Sequence, residues 1–389
     1  MFGGEMGSLC CALPDELMLK ILTQLPVQSI LNFKAISKSW NETLSSPSFA
    51  TAHSLSSSPF SPTFPLFVQK SGIFSIPPPP RCLSLSPNDT QPQLLKHLPD
   101  DASVDGLTTC NGLICFYDRT SQSYYIGNPA TSKYTVVPAP VDCFYNGVVG
   151  LGYDPISFSF KILIQCSPKS DTPWRWCLFS SLTRCWETVE APTTPKTVEA
   201  PTPKFDHRCD RAMACTGSTC YGVFCSCPNF VAFDLNTKSW DSFPPPEGLS
   251  YSCRRLGGLF IHTCKYLLKT QMWGDRVCIF NINHDLELKI WVLNREMRNW
   301  ELVVNAGLQN LKDKPGNTLE ALLLVGDTLF ISRHNDRLFI SRRHRDRHST
   351  KITIAYNVRS HQFTIIEDLS LRNVFDFVPY KTTLLSWDA

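Results

Sequence analysis

His207, Cys209, Cys215, Cys220, Cys225 and Cys227 crowd one stretch of the chain. Thiolate and imidazole are ligands that zinc prefers, so this is the first place to look for chemistry. The spacing argues against a metal site. Among the cysteines only Cys225 and Cys227 lie close together, no C-x2-C pair repeats at a ribbon distance, and alternation along strands would aim neighbouring thiols at opposite faces. These residues are expected to pack as small buried groups without a metal. Nucleophilic and phosphate chemistry have no better footing. The sequence contains no G-x-S-x-G, no H-E-x-x-H and no G-x-x-x-x-G-K-[ST]. The chain therefore reads as a non-catalytic protein that needs no cofactor.

Seventeen cysteines in 389 residues leave an odd thiol over. A disulfide scaffold would also need a secretory route. The first residues, MFGGEMGSLCCALPDE, carry Glu5, have no basic start and hold no long apolar run before Pro14. Reduced thiols in the cytoplasm or nucleus are expected, and the sequons at Asn41 and Asn88 are expected to be chance matches. Leu319 to Ile331 is interrupted by Glu320 and Asp327 and falls short of the ~18 apolar residues of a membrane span. A net charge of +3 sets up no field that would select nucleic acid or an anionic membrane.

Two kinds of element must carry whatever this chain does. From Leu13 to Phe49, apolar residues including Leu17, Ile21, Leu25, Ile30, Phe33, Ile36, Trp40 and Leu44 recur at helical steps. Pro26 divides a first helix, about Pro14 to Leu25, from a second, Val27 to Ile36. A third, about Lys38 to Ser45, is closed by Ser46 and Pro47. SLSSSPFSPTFP, from Ser54 to Pro65, then reads as a linker. Beyond it, short runs rich in Val, Ile, Tyr and Phe alternate with turn residues, as in an all-β domain of some 300 residues.

Four segments share a strand, turn, aromatic and apolar exit: YYIGNPATSKYTVVPAP, CLFSSLTRCWETVEAP, VAFDLNTKSWDSFPPP and KIWVLNREMRNWELVV. IAYNVRSHQFTIIEDL is a weaker fifth. Their aromatics, Tyr134, Trp186, Trp240, Trp300 and Phe363, recur at about the ~50-residue period of kelch blades. Each hairpin alone has an unburied face, and a closed ring of blades would bury it and protect the sheet edges. About six blades are expected, the first from Phe64 to Leu98, with Asn373 to Trp387 as the closing strand.

LPDELMLKILTQLPVQSILNFKAISKSWNETLSSPSF resembles an F-box. The resemblance lies in Leu13-Pro14, Asp15-Glu16, Ile21-Leu22, Leu25-Pro26, Ile30, Phe33, Ile36, Lys38 to Trp40 and Ser46-Pro47-Ser48-Phe49. It departs from the family pattern at Ser37, Asn32 and Asn41. The later hairpins resemble the kelch-type or F-box-associated propeller of plant F-box proteins, most clearly in Asn128-Pro129-Ala130-Thr131 with Tyr134 and Pro138. The resemblance implies a three-helix F-box over residues 10–53, a linker over 54–63 and a kelch-like propeller of about six blades over 64–389, an α+β chain of two domains. It also implies a substrate receptor of an SCF-type (Skp, cullin, F-box) ubiquitin ligase, bound through the Skp adaptor to cullin and RING subunits and holding a target protein. A kelch-type interaction scaffold outside any ligase is the alternative.

A unit of about forty residues gains stability by burying apolar side chains against a partner. Leu13, Pro14, Leu17, Ile21, Leu25, Pro26, Ile30 and Trp40 are the candidate adaptor contacts, set against the plain reading that they fill the module's own core. Aromatic and Arg residues dominate binding hot spots, so Phe144, Tyr145, Trp174, Arg254, Arg255 and Trp273 are the candidate substrate contacts on propeller loops. Two local echoes, LFISRHNDR with LFISRRHRDR and VEAPTTPK with VEAPTPK, read as loop insertions in solvent.

Overall fold

The computed structural model describes residues 14–56, 63–69, 72–75, 104–131, 133–141, 143–154, 156–168, 175–192, 213–223, 229–247, 249, 253–256, 259–262, 269–283, 285–311, 317–335, 352–366, 374–381 and 383–385. Helix α1 spans Asp15–Leu22 and begins on Pro14, whose carbonyl accepts from the amides of Leu17 and Met18 at 3.0 and 3.1 Å. Asp15 and Glu16 in its first turn and Lys20 in its last complement the helix dipole. Helix α2 is Val27–Lys34 and α3 is Lys38–Ser45, where Ser37 Oγ accepts from the amide of Trp40 at 3.2 Å.

The helical module has four helices, not three. Pro47 was expected to end the module's last helix, but it opens α4, Pro47–Leu55. Ser46 Oγ caps α4 by accepting from the amide of Phe49 at 3.3 Å, and proline at the first helical position forgoes only an N–H that had no helical partner. His53, on α4, is buried and reaches the carbonyl of Leu25 through Nε2 at 2.8 Å, fixing α4 against the exit of α1.

The strands are β1 (Thr63–Gln69), β2 (Gly72–Ser75), β3 (Val104–Cys110), β4 (Leu113–Asp118), β5 (Ser123–Asn128), β6 (Lys133–Pro138), β7 (Cys143–Asp154), β8 (Ser159–Pro168), β9 (Arg175–Ser180) and β10 (Cys185–Val189). They continue as β11 (Ala214–Thr216), β12 (Thr219–Val223), β13 (Phe230–Asp234), β14 (Ser239–Phe243), β15 (Cys253–Leu256), β16 (Leu259–His262), β17 (Lys269–Trp273), β18 (Arg276–Ile282), β19 (Glu287–Asn294) and β20 (Asn299–Gly307). The last are β21 (Asn317–Val325), β22 (Thr328–Asn335), β23 (Ile352–Asn357), β24 (Phe363–Ile366) and β25 (Val374–Lys381).

Among the described residues there are five antiparallel four-stranded blades: β3 to β6, β7 to β10, β11 to β14, β17 to β20 and β21 to β24. About six such blades were expected. The difference lies where the chain's two ends meet. There β1 pairs with both β2 and β25, giving a three-stranded sheet that draws on residues far apart in sequence. The first strands of the blades stand side by side around the axis, and β25 stands between β21 and β3, so this sheet closes the ring. Leu256 to Phe260 was expected to join Val277 to Ile282 in one blade. Instead β15 and β16 form a separate two-stranded sheet, and β17 is the partner of β18.

The third and fourth strands of a blade are joined by a turn that ends on a residue of positive φ: Arg184 (54°), Lys238 (57°), Arg298 (54°) and His361 (57°). An Asx side chain fixes several of these turns. Asp234 Oδ1 accepts from the amides of Asn236 and Thr237 at 2.7 and 3.0 Å, and Asn357 Oδ1 accepts from those of Arg359 and Ser360 at 3.0 and 2.8 Å.

The three repeated tryptophans hold one blade to the next. Trp186 Nε1 donates to the carbonyl of Pro138 at 2.9 Å, Trp240 Nε1 to that of Glu190 at 2.7 Å, and Trp300 Nε1 to that of Pro244 at 2.9 Å. Each indole on a fourth strand thus reaches the exit of the preceding blade's fourth strand, 48, 50 and 56 residues earlier. The ring faces add apolar contact: Trp240 lies against Trp176 and Phe233, and Trp300 meets Phe230 edge-on.

Arg333 opens a segment expected to be a solvent loop, but it lies on β22, buried, with Nη1 donating to the carbonyl of Leu311 at 3.1 Å. From residue 336 onward that echo, and most of the second, lie outside the described residues, as does the Gly257-Gly258 doublet.

Candidate functional site

Two surfaces are candidates for binding. The first is on the helical module. Its core is Leu22, Val27, Ile30, Leu44, Phe49 and Ala50, and it is continuous with the core of the first blades and with Leu384 and Leu385. With that face turned inward, Leu17 (49% exposed) and Ile21 (52%) lie one turn apart on the opposite side of α1, beside exposed Pro14. Ile36 is 64% exposed just after α2. Leaving three large aliphatic side chains in water on so small a module is what a docking face requires.

The candidate adaptor contacts divide accordingly. Pro14, Leu17 and Ile21 are exposed, while Leu25, Pro26 and Trp40 are half-buried, Trp40 lying against Phe33. Ile30 is fully enclosed in the chain's own core. Leu13 lies outside the described residues. Ile36 was not among the candidates, although its helical spacing marked it as apolar. Spacing gives periodicity but does not tell which apolar face the rest of the protein covers.

The second surface is a groove between the first two blades. Val137 to Val141, leaving β6, form one wall, and Arg175, Cys177, Phe179, Arg184 and Trp186 to Thr188, on the β9–β10 hairpin, form the other around a cavity of about 450 Å³. Val141 stands exposed at its rim, and Glu187 is engaged by Lys238 Nζ at 2.6 Å. The proline-rich exit VVPAP and the TRCWET turn were both visible as repeat units. Their juxtaposition depends on how one blade twists against the next.

Of the candidate substrate contacts, Phe144 and Tyr145 fall on β7 and Arg254 and Arg255 on β15, where their side chains lie outside the described residues. Trp174 is also outside them. Trp273 was expected on a loop but ends β17, and its indole donates to the carbonyl of Gly326 in the next blade at 2.7 Å.

Within the cysteine-rich stretch, Cys215 and Cys220 pack in the core. Cys215 and Cys220 face one another across the β11–β12 hairpin, sulfur to sulfur at 3.1 Å, and both are buried. The Cys215 bond and burial together push the Cys220 thiol well up. Cys209, Cys225, Cys227 and His207 lie outside the described residues, and no cluster among the described residues has the geometry to hold a metal.

A helical module followed by a ring of four-stranded blades narrows the family, and sequence comparison decides it. Residues 70–326 match the F-box associated beta propeller domain, and residues 10–51 match the F-box domain. The chain belongs to the F-box-associated propeller family. Its relatives include the putative F-box protein At1g47730 of Arabidopsis thaliana, 24% identical over 96% of this chain and 94% of that one. The putative F-box protein At1g47790 and the F-box protein At3g49450 of the same plant are 29% and 28% identical. Their matches cover 46% and 44% of this chain, and the chain spans about half the length of these curated relatives, 46% and 45%. A solved nidogen/laminin complex aligns at a TM-score of 0.42 and 10% identity, covering 82% of this chain and 99% of that one. The family is that of the F-box-associated propeller, and the kelch type is not shown.

Proposed function

We propose that this chain is the substrate-receptor subunit of an SCF-type ubiquitin ligase. The observation that carries the reading is the exposed stripe of Pro14, Leu17 and Ile21 on α1, with Ile36 nearby, on a module whose other face is tied into the propeller. A Skp-family adaptor covering this stripe would bury roughly 1.5 to 3 kcal/mol of apolar transfer energy per fully enclosed aliphatic side chain. The adaptor would bring cullin and RING subunits, and the propeller would hold a target protein. The chain itself supplies position and performs no chemistry.

The groove beside Trp186 is the concave surface proposed to hold that target. Phe144, Tyr145, Trp174, Arg254 and Arg255 remain proposed contacts on the same domain. None of the described cysteines is held in a disulfide, which suits work in the cytoplasm or nucleus. Purification of the tagged full chain from plant cells, followed by immunoblotting for cullin, tests the reading. Recovery of cullin with the wild type and its loss with Leu17→Asp/Ile21→Asp are expected. Equal recovery of propeller partners with no cullin in either sample would favour an interaction scaffold instead.

A further inference from the structure

Of the eight described cysteines, six are enclosed in the core away from the groove, and a seventh, Cys185, is exposed on the β9–β10 hairpin. Cys177 differs, because it is both packed and part of the groove wall, beside Arg175 and Trp186. It also has a neighbour. Cys177 is paired with Ile164 across β8 and β9, and Cys166 is paired with Arg175, which places both thiols on one face of the sheet. Their sulfurs are 3.5 Å apart.

We propose that Cys177 and Cys166 form an oxidation site in which a hydroperoxide entering the groove reacts at Cys177, and Cys166 resolves the product as a disulfide. In the first step the Cys177 sulfur attacks one peroxide oxygen. An S–O bond forms, the O–O bond breaks, and the leaving oxygen takes a proton to depart as water or an alcohol. In the second step the Cys166 sulfur attacks that of Cys177, the S–S bond forms, the S–O bond breaks, and hydroxide leaves with the Cys166 proton as water. Two thiols lose two electrons and one peroxide gains them.

Electrostatics favours the same thiol. The hydrogen bond from Cys166, with Arg175 and Thr188 alongside, outweighs burial and draws Cys177 down to about 7. Burial pushes Cys110, Cys115 and Cys278 up. Thiolate at neutral pH therefore concentrates where the groove admits a small oxidant. The inference goes beyond the receptor reading and does not depend on it.

Trypsin separates the thiols. ILIQCSPK carries Cys166, WCLFSSLTR carries Cys177, and the next peptide begins at Cys185. The reduced full chain is treated with one equivalent of hydrogen peroxide, quenched with N-ethylmaleimide and digested without reductant. The two peptides are expected to leave the alkylated pool together and appear as one linked mass, ~10-fold faster than Cys278 is lost. The rate should also be higher at pH 8 than at pH 6. Cys166→Ser should leave Cys177 open to dimedone, which traps sulfenic acid. The wild-type footprint is readable even where that variant folds poorly. Both peptides remaining alkylated while Cys185 is oxidised, or Cys177 linking to Cys185 instead, would overturn the proposal.

Discussion

Asn128 holds Leu385 in place: its Nδ2 donates to the Leu385 carbonyl at 2.7 Å and to that of Thr383 at 3.0 Å. Its Oδ1 accepts from the amide of Ala130 at 3.0 Å and from Tyr380 Oη at 3.4 Å. The side chain is fully buried. One amide thus ties the turn after β5 to the strand and tail that close the ring, which gives the Asn128-Pro129-Ala130-Thr131 motif a structural purpose. Asn128→Asp keeps the shape but turns an oxygen toward two carbonyls. A loss of ~2 to 3 kcal/mol, with a lower melting midpoint, is expected. Asn128→Asp melting at the wild-type temperature would show that closure does not depend on this group.

Trp240 makes both a packing contact and a bond to the preceding blade. Trp240→Phe keeps most of the ring and loses the bond to Glu190, so ~1 kcal/mol is expected. Trp240→Ala should cost clearly more, since it also removes the contact with Trp176 and Phe233. Urea titration of the two variants checks the order. Equal losses would mean that the ring packing contributes nothing beyond the hydrogen bond.

The repeat was legible because five aromatics recur at steps of 52, 54, 60 and 63 residues, and the strands around them fell close to their expected places. What the indoles do was not legible, since a period in sequence does not say that one blade's tryptophan bonds the preceding blade's exit. Pro47 misled for a local reason. Proline stops a helix when it falls inside one and starts a helix when a serine cap precedes it, as Ser46 does here. The blade count differs because the sheet of β1, β2 and the anticipated closing strand β25 has three described strands, not the four of a full blade. At the docking face, Ile30 and Ile21 have the same residue type and similar spacing, and only the packed fold separates buried from exposed.

His53 gives the helical module a pH dependence. Burial, opposed by the hydrogen bond to Leu25 and aided by nearby Lys381, lowers its pKa below the ordinary histidine value near 6.5. The unfolded chain then binds the proton more readily. Stability should be fully present above about pH 6.5 and decline as pH falls below it. Melting curves between pH 8 and 5 should show this decline, and it should be smaller in His53→Gln. An identical decline in both proteins would assign the effect to other groups.

The central claim is that the exposed face of α1 is a Skp-adaptor site, and titration calorimetry of the full chain with a plant Skp-family adaptor tests it most directly. The account predicts one-to-one binding that Leu17→Asp/Ile21→Asp weakens by ~100-fold or more, with the melting midpoint of the chain little changed. Binding that is undiminished in this variant, or absent in the well-folded wild type, would contradict it.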